Sequence, residues 1–155
     1  LYLKMDYKSC QALAKQFSEF YYALLASKEH RLEIVQNYSE QCQVIFNGKL
    51  YQGHNGLKNL FGSRFQFGDL TITPTHVCAL PIGDSAIQLS VLGRMESINP
   101  DQISKLVTFF SQSFALIGDQ DGNFQIMNDI FGVETINENE PIPQEEEQPQ
   151  FHFGQ

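Results

Sequence analysis

The sequence has no tryptophan, three cysteines, and ten lysines and arginines against eighteen acids. Each shortage excludes something. Cys10, Cys42 and Cys78 are an odd number without a CxxC pair, which argues against a disulfide framework or a zinc ribbon and favours a reducing compartment. No window approaches about 18 consecutive apolar residues, so no membrane span is expected. No basic segment followed by an apolar one opens the chain, so a secretory signal is not visible. The net charge is −8, and it is uneven: Glu134, Glu138, Glu140, Glu145, Glu146 and Glu147 fall in a stretch, 133–155, without Lys or Arg, leaving residues 1–132 with 12 acids against 10 bases. Neither part offers the positive field that phosphate backbones require, so direct nucleic-acid binding is not expected.

What is present is the composition of a globular domain. Hydrophobic residues make up 42% of the 155 positions and 13 of them are Phe, enough for one aromatic core with a short appendage. From about Ser9, the residues Leu13, Phe17, Phe20, Tyr21, Leu24 and Leu25 recur at helical spacing and predict a long helix ending near Ala26–Ser27. A shorter helix is expected from Glu29 to Tyr38, with Leu32, Val35 and Tyr38 on one face. Val44-Ile45-Phe46, Asn47-Gly48 and Lys49-Leu50-Tyr51 read as a hairpin, because Asn-Gly supplies the positive φ angles of a tight turn. Asn55 is placed to cap a third helix carrying Leu57, Leu60 and Phe61. Four strands follow, over Leu70–Cys78, Ala86–Met95, Lys105–Ile117 and Phe124–Ile130, divided by turn clusters at 81–84, 99–102 and 118–123. Alternation in the second (Ile87, Leu89, Val91) and third (Phe110, Phe114, Leu116) means one buried face and antiparallel pairing. After Val133 the hydrophobic pattern stops, and Glu, Gln and Pro predict a disordered acidic tail.

That order, with its local strings, resembles the nuclear transport factor 2 family. The matching residues are Phe17-Ser18-Glu19-Phe20-Tyr21-Tyr22, Tyr38, Phe46-Asn47-Gly48-Lys49-Leu50-Tyr51-Gln52-Gly53, Leu57 with Leu60-Phe61, Phe110-Ser111-Gln112-Ser113-Phe114 and Asn128-Asp129-Ile130-Phe131, together covering about residues 8–132. The ending looks like the eukaryotic transport branch. The resemblance implies an α+β cone, a bent antiparallel sheet wrapped around the long N-terminal helix with two shorter helices, spanning 6–133 and followed by the tail 134–155. It also implies dimerisation through the outer sheet face, as a homodimer or with a related domain, for which Leu92, Phe109 and Phe110 are the candidates.

The family implies partners rather than chemistry. Members bind FG repeats of nucleoporins, and the export proteins among them pair with a messenger-RNA export receptor; Tyr7, Phe46, Asn47 and Tyr51 are the candidate contacts. Carriage of Ran-GDP is disfavoured, because Asn47 stands where an acid is needed and a neutral amide cannot replace the bond a carboxylate makes with Lys or Arg. The turn reading of Asn47 needs no partner. The expected function is therefore a non-enzymatic adaptor of nuclear import or mRNA export, at the nuclear pore, in nucleus and cytoplasm, with no cofactor or metal. A scaffold domain of ribonucleoprotein granules, whose acidic segment follows such a domain, is the alternative within binding modules.

The alternative outside that class is a small isomerase or dehydratase using the cone interior, as the superfamily's ketosteroid isomerases do. His30, His54, His76, Asp69, Asp84 and Asp129 are available, but no two form a motif. His54 reads as exposed in a Gly-His-Asn-Gly turn, His76 as able to face either way, and Asp129 as satisfying backbone donors. Two FxFG strings complete the inventory. Phe65-Gln66-Phe67-Gly68 reads as core plus turn. Phe151-His152-Phe153-Gly154 lies beyond the acidic run where no core needs it, while composition alone gives roughly 0.07 such strings. It is a candidate ligand motif, with Phe151 and Phe153 as its anchors.

Overall fold

The computed structural model describes residues 6–65, 67–98, 107–134 and 148–154. The helix α1 (Tyr7–Ala26) begins two residues earlier than the periodicity suggests, because Asp6 caps it: the Asp6 carboxylate accepts the Ser9 amide at 2.7 Å. Its buried face is Cys10, Ala14, Ser18, Tyr21, Tyr22 and Leu25, rotated from the expected stripe so that Phe20 is half exposed. The second helix is a 3₁₀ helix, Arg31–Asn37, and Tyr38 already belongs to the following strand. Three residues per turn stack Arg31 under Ile34, which are buried, and turn Leu32 outward. The third, α2 (Gly53–Asn59), has no side-chain cap and Asn55 lies within it. It continues as a π turn, Leu60–Arg64, closed by the Phe65 amide donating to the Leu60 carbonyl at 2.7 Å.

Six strands, β1 (Tyr38–Phe46), β2 (Lys49–Gln52), β3 (Leu70–Ile82), β4 (Ala86–Ser97), β5 (Val107–Gly118) and β6 (Phe124–Val133), form one sheet in the order β2-β1-β6-β5-β4-β3. Long antiparallel ladders join β3 to β4, β4 to β5 and β5 to β6, as expected. The exception is β1, which runs parallel to β6, so the sheet is mixed rather than uniformly antiparallel. A parallel pair needs a long connection, and everything between β1 and β6 supplies it. The turn after Ala79 is shorter than expected, since β3 runs on through Pro81. The sequence turn at 99–102, the first two residues of the expected third strand and the acidic tail at 135–147 lie outside the described residues.

The sheet bends around α1 into a cone. Register shifts interrupt β3 between Pro74 and His76, β5 opposite β6 at Ala115/Leu116, and β1 between Tyr38 and Gln43, and such bulges increase local curvature. α1 lies on the concave side, tied to β3 by the Gln11 side chain donating to the Ala79 carbonyl at 2.7 Å. Gly93 in β4 lets Phe110 of β5 fold flat across the concave face. A Cβ at this position would sit 2.6 Å from the Phe110 ring and 2.8 Å from the Thr73 carbonyl oxygen. Gly93→Ala is expected to destabilise the domain by about 1–3 kcal/mol through this overpacking, measured as a lower urea midpoint without a changed slope.

Candidate functional site

The cone interior is lined with rings. Phe17, Tyr21 and Phe114 meet at centroid distances of 4.9–5.5 Å, and Tyr22, Phe110 and Phe131 continue the cluster toward Phe46 and Phe65. Into this apolar setting the chain places one carboxylate. Asp129 on β6 is 1% exposed, and its partners are side chains rather than backbone donors. The Tyr38 hydroxyl donates to it at 2.6 Å, and the Gln112 amide nitrogen lies 3.0 Å from both its oxygens. Around them, the Tyr21 and Tyr38 hydroxyls are 2.7 Å apart, Gln112 also donates to Tyr21 at 3.1 Å, and Tyr22 donates to the Gln112 carbonyl oxygen at 2.9 Å. With Asp129 ionised, every donor in this set has an acceptor, and among the described residues no buried side-chain polar atom is left unpaired.

Burial pushes the Asp129 carboxyl up to about 7, against the Tyr38 and Gln112 hydrogen bonds, which pull it down. Burial likewise raises the Tyr21, Tyr22 and Tyr38 phenols far above their ordinary value, so they remain donors at neutral pH. The set has the ingredients of acid–base chemistry: a neutral-range carboxyl beside two phenols. It also has the ingredients of a rigid core, since each of these atoms is occupied by another atom of the same chain.

The position of Asp129 rests on a bulge. Ala115 pairs with Asn128 and Leu116 with Ile126, leaving Met127 over. Unbroken alternation from Ile126 would send Asp129 to the outer face with Gln125 and keep Ile130 inside; the bulge absorbs one residue, so Asp129 points inward and Ile130 is 58% exposed. Sequence reading therefore missed the cluster. The available signals were Tyr21-Tyr22 on the helix stripe and Gln112, a polar residue between Phe110 and Phe114 on the inward face.

The other candidate residues are scattered. Tyr7 is exposed at the start of α1, and Phe46 is half-buried against Phe65 and Phe131. Asn47 has φ 46° and its side-chain oxygen accepts the Val133 amide at 2.8 Å, so turn chemistry and a tie to β6 account for it. Tyr51 is buried, beneath the Lys49 ammonium 5.5 Å away, and offers no ring to a partner. Leu92 and Phe109 point outward, half exposed or more, whereas Phe110 does not belong on that face: strand alternation turns it inward against Tyr22 and Phe131. His54 is not exposed as expected; it is half-buried and bonded to the Tyr38 carbonyl at 2.7 Å. His76 is exposed on β3 opposite Leu92, His30 lies 3.3 Å from Glu33, Asp69 accepts the Lys28 amide, and Asp84 sits exposed in the β3–β4 turn. Phe65 is core and Phe67 half-buried, while Phe151 and Phe153 are 71% and 90% exposed. Among the described residues no group of three His, Cys, Asp or Glu side chains is arranged to hold a metal ion, and no helix is long and apolar enough to cross a membrane.

The model of the nuclear transport factor 2 (NTF2) domain matches residues 13–133. The chain belongs to this family. No curated protein matches it. Among solved structures, it is similar to nuclear transport factor 2 from Cryptosporidium parvum, with 24% identity and a TM-score of 0.69 over 79% of this chain and 93% of that one. It is similar to a ketosteroid isomerase-like protein from Erwinia carotovora atroseptica, with 12% identity and a TM-score of 0.64 over 81% and 96%. A chain of the yeast complex of deubiquitinase Ubp3 with its Bre5 cofactor matches at 16% identity and a TM-score of 0.65 over 82% and 98%. At these identities the likeness is one of fold, and the structures sharing it include a nuclear transport factor and a ketosteroid isomerase-like protein.

The raised Asp129 carboxyl has a sign that can be measured. Between pH 4 and 7 the unfolded chain releases this proton while the folded one keeps it, so rising pH favours unfolding through that window and has no further effect above it. A displacement of that size corresponds to about 4 kcal/mol. Asp129→Asn cannot titrate. The stability of the wild type relative to this variant is expected to fall by about that amount between pH 4 and 8 in urea denaturation, other carboxyls cancelling in the difference.

Proposed function

We propose that this NTF2 domain is a non-enzymatic protein-binding adaptor in nucleocytoplasmic transport, pairing through its outer sheet face with a second copy or a related domain. The observation that carries this reading is the apolar character of that face. Leu50, Ile45 and Ile130 are directly opposite one another across β2, β1 and β6, and all three are at least one-third exposed. Leu92 and Phe109 add 49% and 60% exposed side chains on β4 and β5, beside Val107. Ser111 and Ser113 of β5 lie between these two apolar groups, and exposed apolar side chains gathered on one sheet face mark an interface. The occupied state of the interior supports the same reading, because Asp129, Tyr21, Tyr38 and Gln112 satisfy one another.

The partners proposed are Phe-containing peptides such as FG nucleoporins, or an mRNA export receptor, in nucleus and cytoplasm at the pore. Tyr7 and Phe46 are the contacts with surface to offer. Ran-GDP is not proposed, since Asn47 carries no charge and its oxygen is used by Val133. A scaffold role in ribonucleoprotein granules is a second reading within the same class. An isomerase or dehydratase is the reading favoured by one specific observation, the Asp129 carboxyl beside the Tyr38 phenol, and it requires the interior to open to a substrate.

Sedimentation of the full chain tests the pairing. Wild type is expected to associate with itself or with a co-expressed related domain. Leu92→Glu and Phe109→Glu are each expected to weaken association about 30-fold, the equivalent of about 2 kcal/mol for a central interface residue. A wild type that stays monomeric and captures no FG-repeat peptide, while it turns over a small carbonyl substrate in an Asp129-dependent way, contradicts the adaptor reading.

A further inference from the structure

Between the 3₁₀ helix and the π turn lies a cavity of about 320 Å³, lined by Lys28, Arg31, Leu32, Phe61, Gly62, Phe65, Phe67 and Gly68. Its wall is aromatic and its charge is positive. Arg31 is 3% exposed, and its guanidinium donates to the carbonyls of Leu25, Phe67 and Gly68 at 2.7–2.8 Å while lying 4.8 Å over the Phe65 ring. Among the described residues no carboxylate stands within salt-bridge distance of Arg31 or Lys28; Glu29 and Glu33 face His30, and Asp69, which takes the Lys28 backbone amide, acts on Arg31 through space and leaves the two cations in excess of the one acid. The segment 53–68 that builds the opposite wall contains Lys58 and Arg64 and no acid. Leu32, half exposed, stands at the rim.

The same chain carries what such a cavity takes. Residues 151–154 put two exposed phenylalanines beside the acidic run Glu145-Glu146-Glu147. A cavity of about 150 Å³ is enough for one benzene ring, so this one has room for both. Seventeen residues lie between Val133 and Phe151, a span of up to about 60 Å when extended, against a radius of gyration of about 14 Å for a domain of this size. The tail therefore reaches any face of its own domain. A tether of that length gives an effective concentration on the order of millimolar, which populates a contact too weak to see between separate molecules.

We propose that the cavity at Arg31, Leu32 and Phe61–Gly68 is a docking site for the chain's own C-terminal FHFG segment, its rings between Phe61, Phe65 and Phe67 and its acidic flank near Lys28 and Arg64. Docking is intramolecular, and it holds the tail against the domain until a competing phenylalanine peptide displaces it. The inference rests on the cavity and the tail, and stands whether or not the domain serves in nuclear transport.

The test compares amide NMR spectra of the full wild-type chain with those of Phe151→Ala/Phe153→Ala at low concentration. Shift differences are expected at 28–32 and 61–68, independent of protein concentration. A free peptide of residues 148–155 is expected to reproduce them in the double variant and to bind wild type at least 5-fold more weakly. Filling the cavity with Gly62→Phe, where a Cβ meets only Leu32 at 3.9 Å, or charging its rim with Leu32→Glu, is expected to abolish them. Differences confined to 148–155, or centred elsewhere on the domain, overturn the proposal. Differences that grow with concentration alongside a larger sedimentation coefficient also overturn it, since the occupant is then a second copy.

Discussion

One buried carboxylate organises the cone. Asp129 brings together residues from α1 (Tyr21, Tyr22), β1 (Tyr38), β5 (Gln112) and β6, elements separated by up to 91 positions in sequence. Removing a carboxylate from water is costly unless its oxygens are satisfied, and here the satisfaction is geometric: the Tyr38 hydroxyl and the Gln112 amide reach the carboxylate, and the Tyr21 and Tyr22 hydroxyls bond to those two in turn. A half-formed cluster is worse than none. The apolar rings around it supply area burial, which tolerates many packings, whereas the cluster admits few. The helix and the sheet are held in register by that difference.

A consequence follows for where the molecule meets others. The concave side of the sheet is occupied by α1, the aromatic rings and the cluster. The convex side carries Leu50, Ile45, Ile130, Leu92 and Phe109 toward solvent. Because the bulge at Met127 breaks the alternation and so sets Asp129 in and Ile130 out together, the same irregularity that builds the interior cluster also completes an apolar row outside. Interior order and outer stickiness are thus two results of a single irregularity in β6. The cavity beside Arg31 is a separate feature, built on the 3₁₀ helix and the π turn rather than on the sheet.

Much of this was legible in the sequence because it depends on local period. The α1 stripe, the Asn47-Gly48 turn and the β4 alternation of Ile87, Leu89 and Val91 are each decided within a few residues, and the strings around them carry the family. What was not legible depends on irregularity. Alternation alone sends Asp129 outward, and only the pairing of Leu116 with Ile126 reverses it. Phe109 and Phe110 are adjacent and chemically alike, so which faces the core is a matter of register. Leu32 and His54 were misplaced because a 3₁₀ turn and an uncapped α2 set their directions. Nothing in the sequence marks Arg31 as a buried charge, since its guanidinium is held by three carbonyl acceptors and a ring beneath it, with Asp69 acting on it only through space.

The most direct test of the account is a carboxyl ¹³C NMR titration of Asp129 in the full chain. The closed, self-satisfied cluster predicts a midpoint near 7 for this one carboxyl, carried by the Tyr38 and Tyr21 signals as well, because their hydroxyls share the proton's surroundings. A midpoint near the ordinary aspartate value of about 4 would mean that water enters the cone, and would contradict a cluster that serves as the fixed core of the fold.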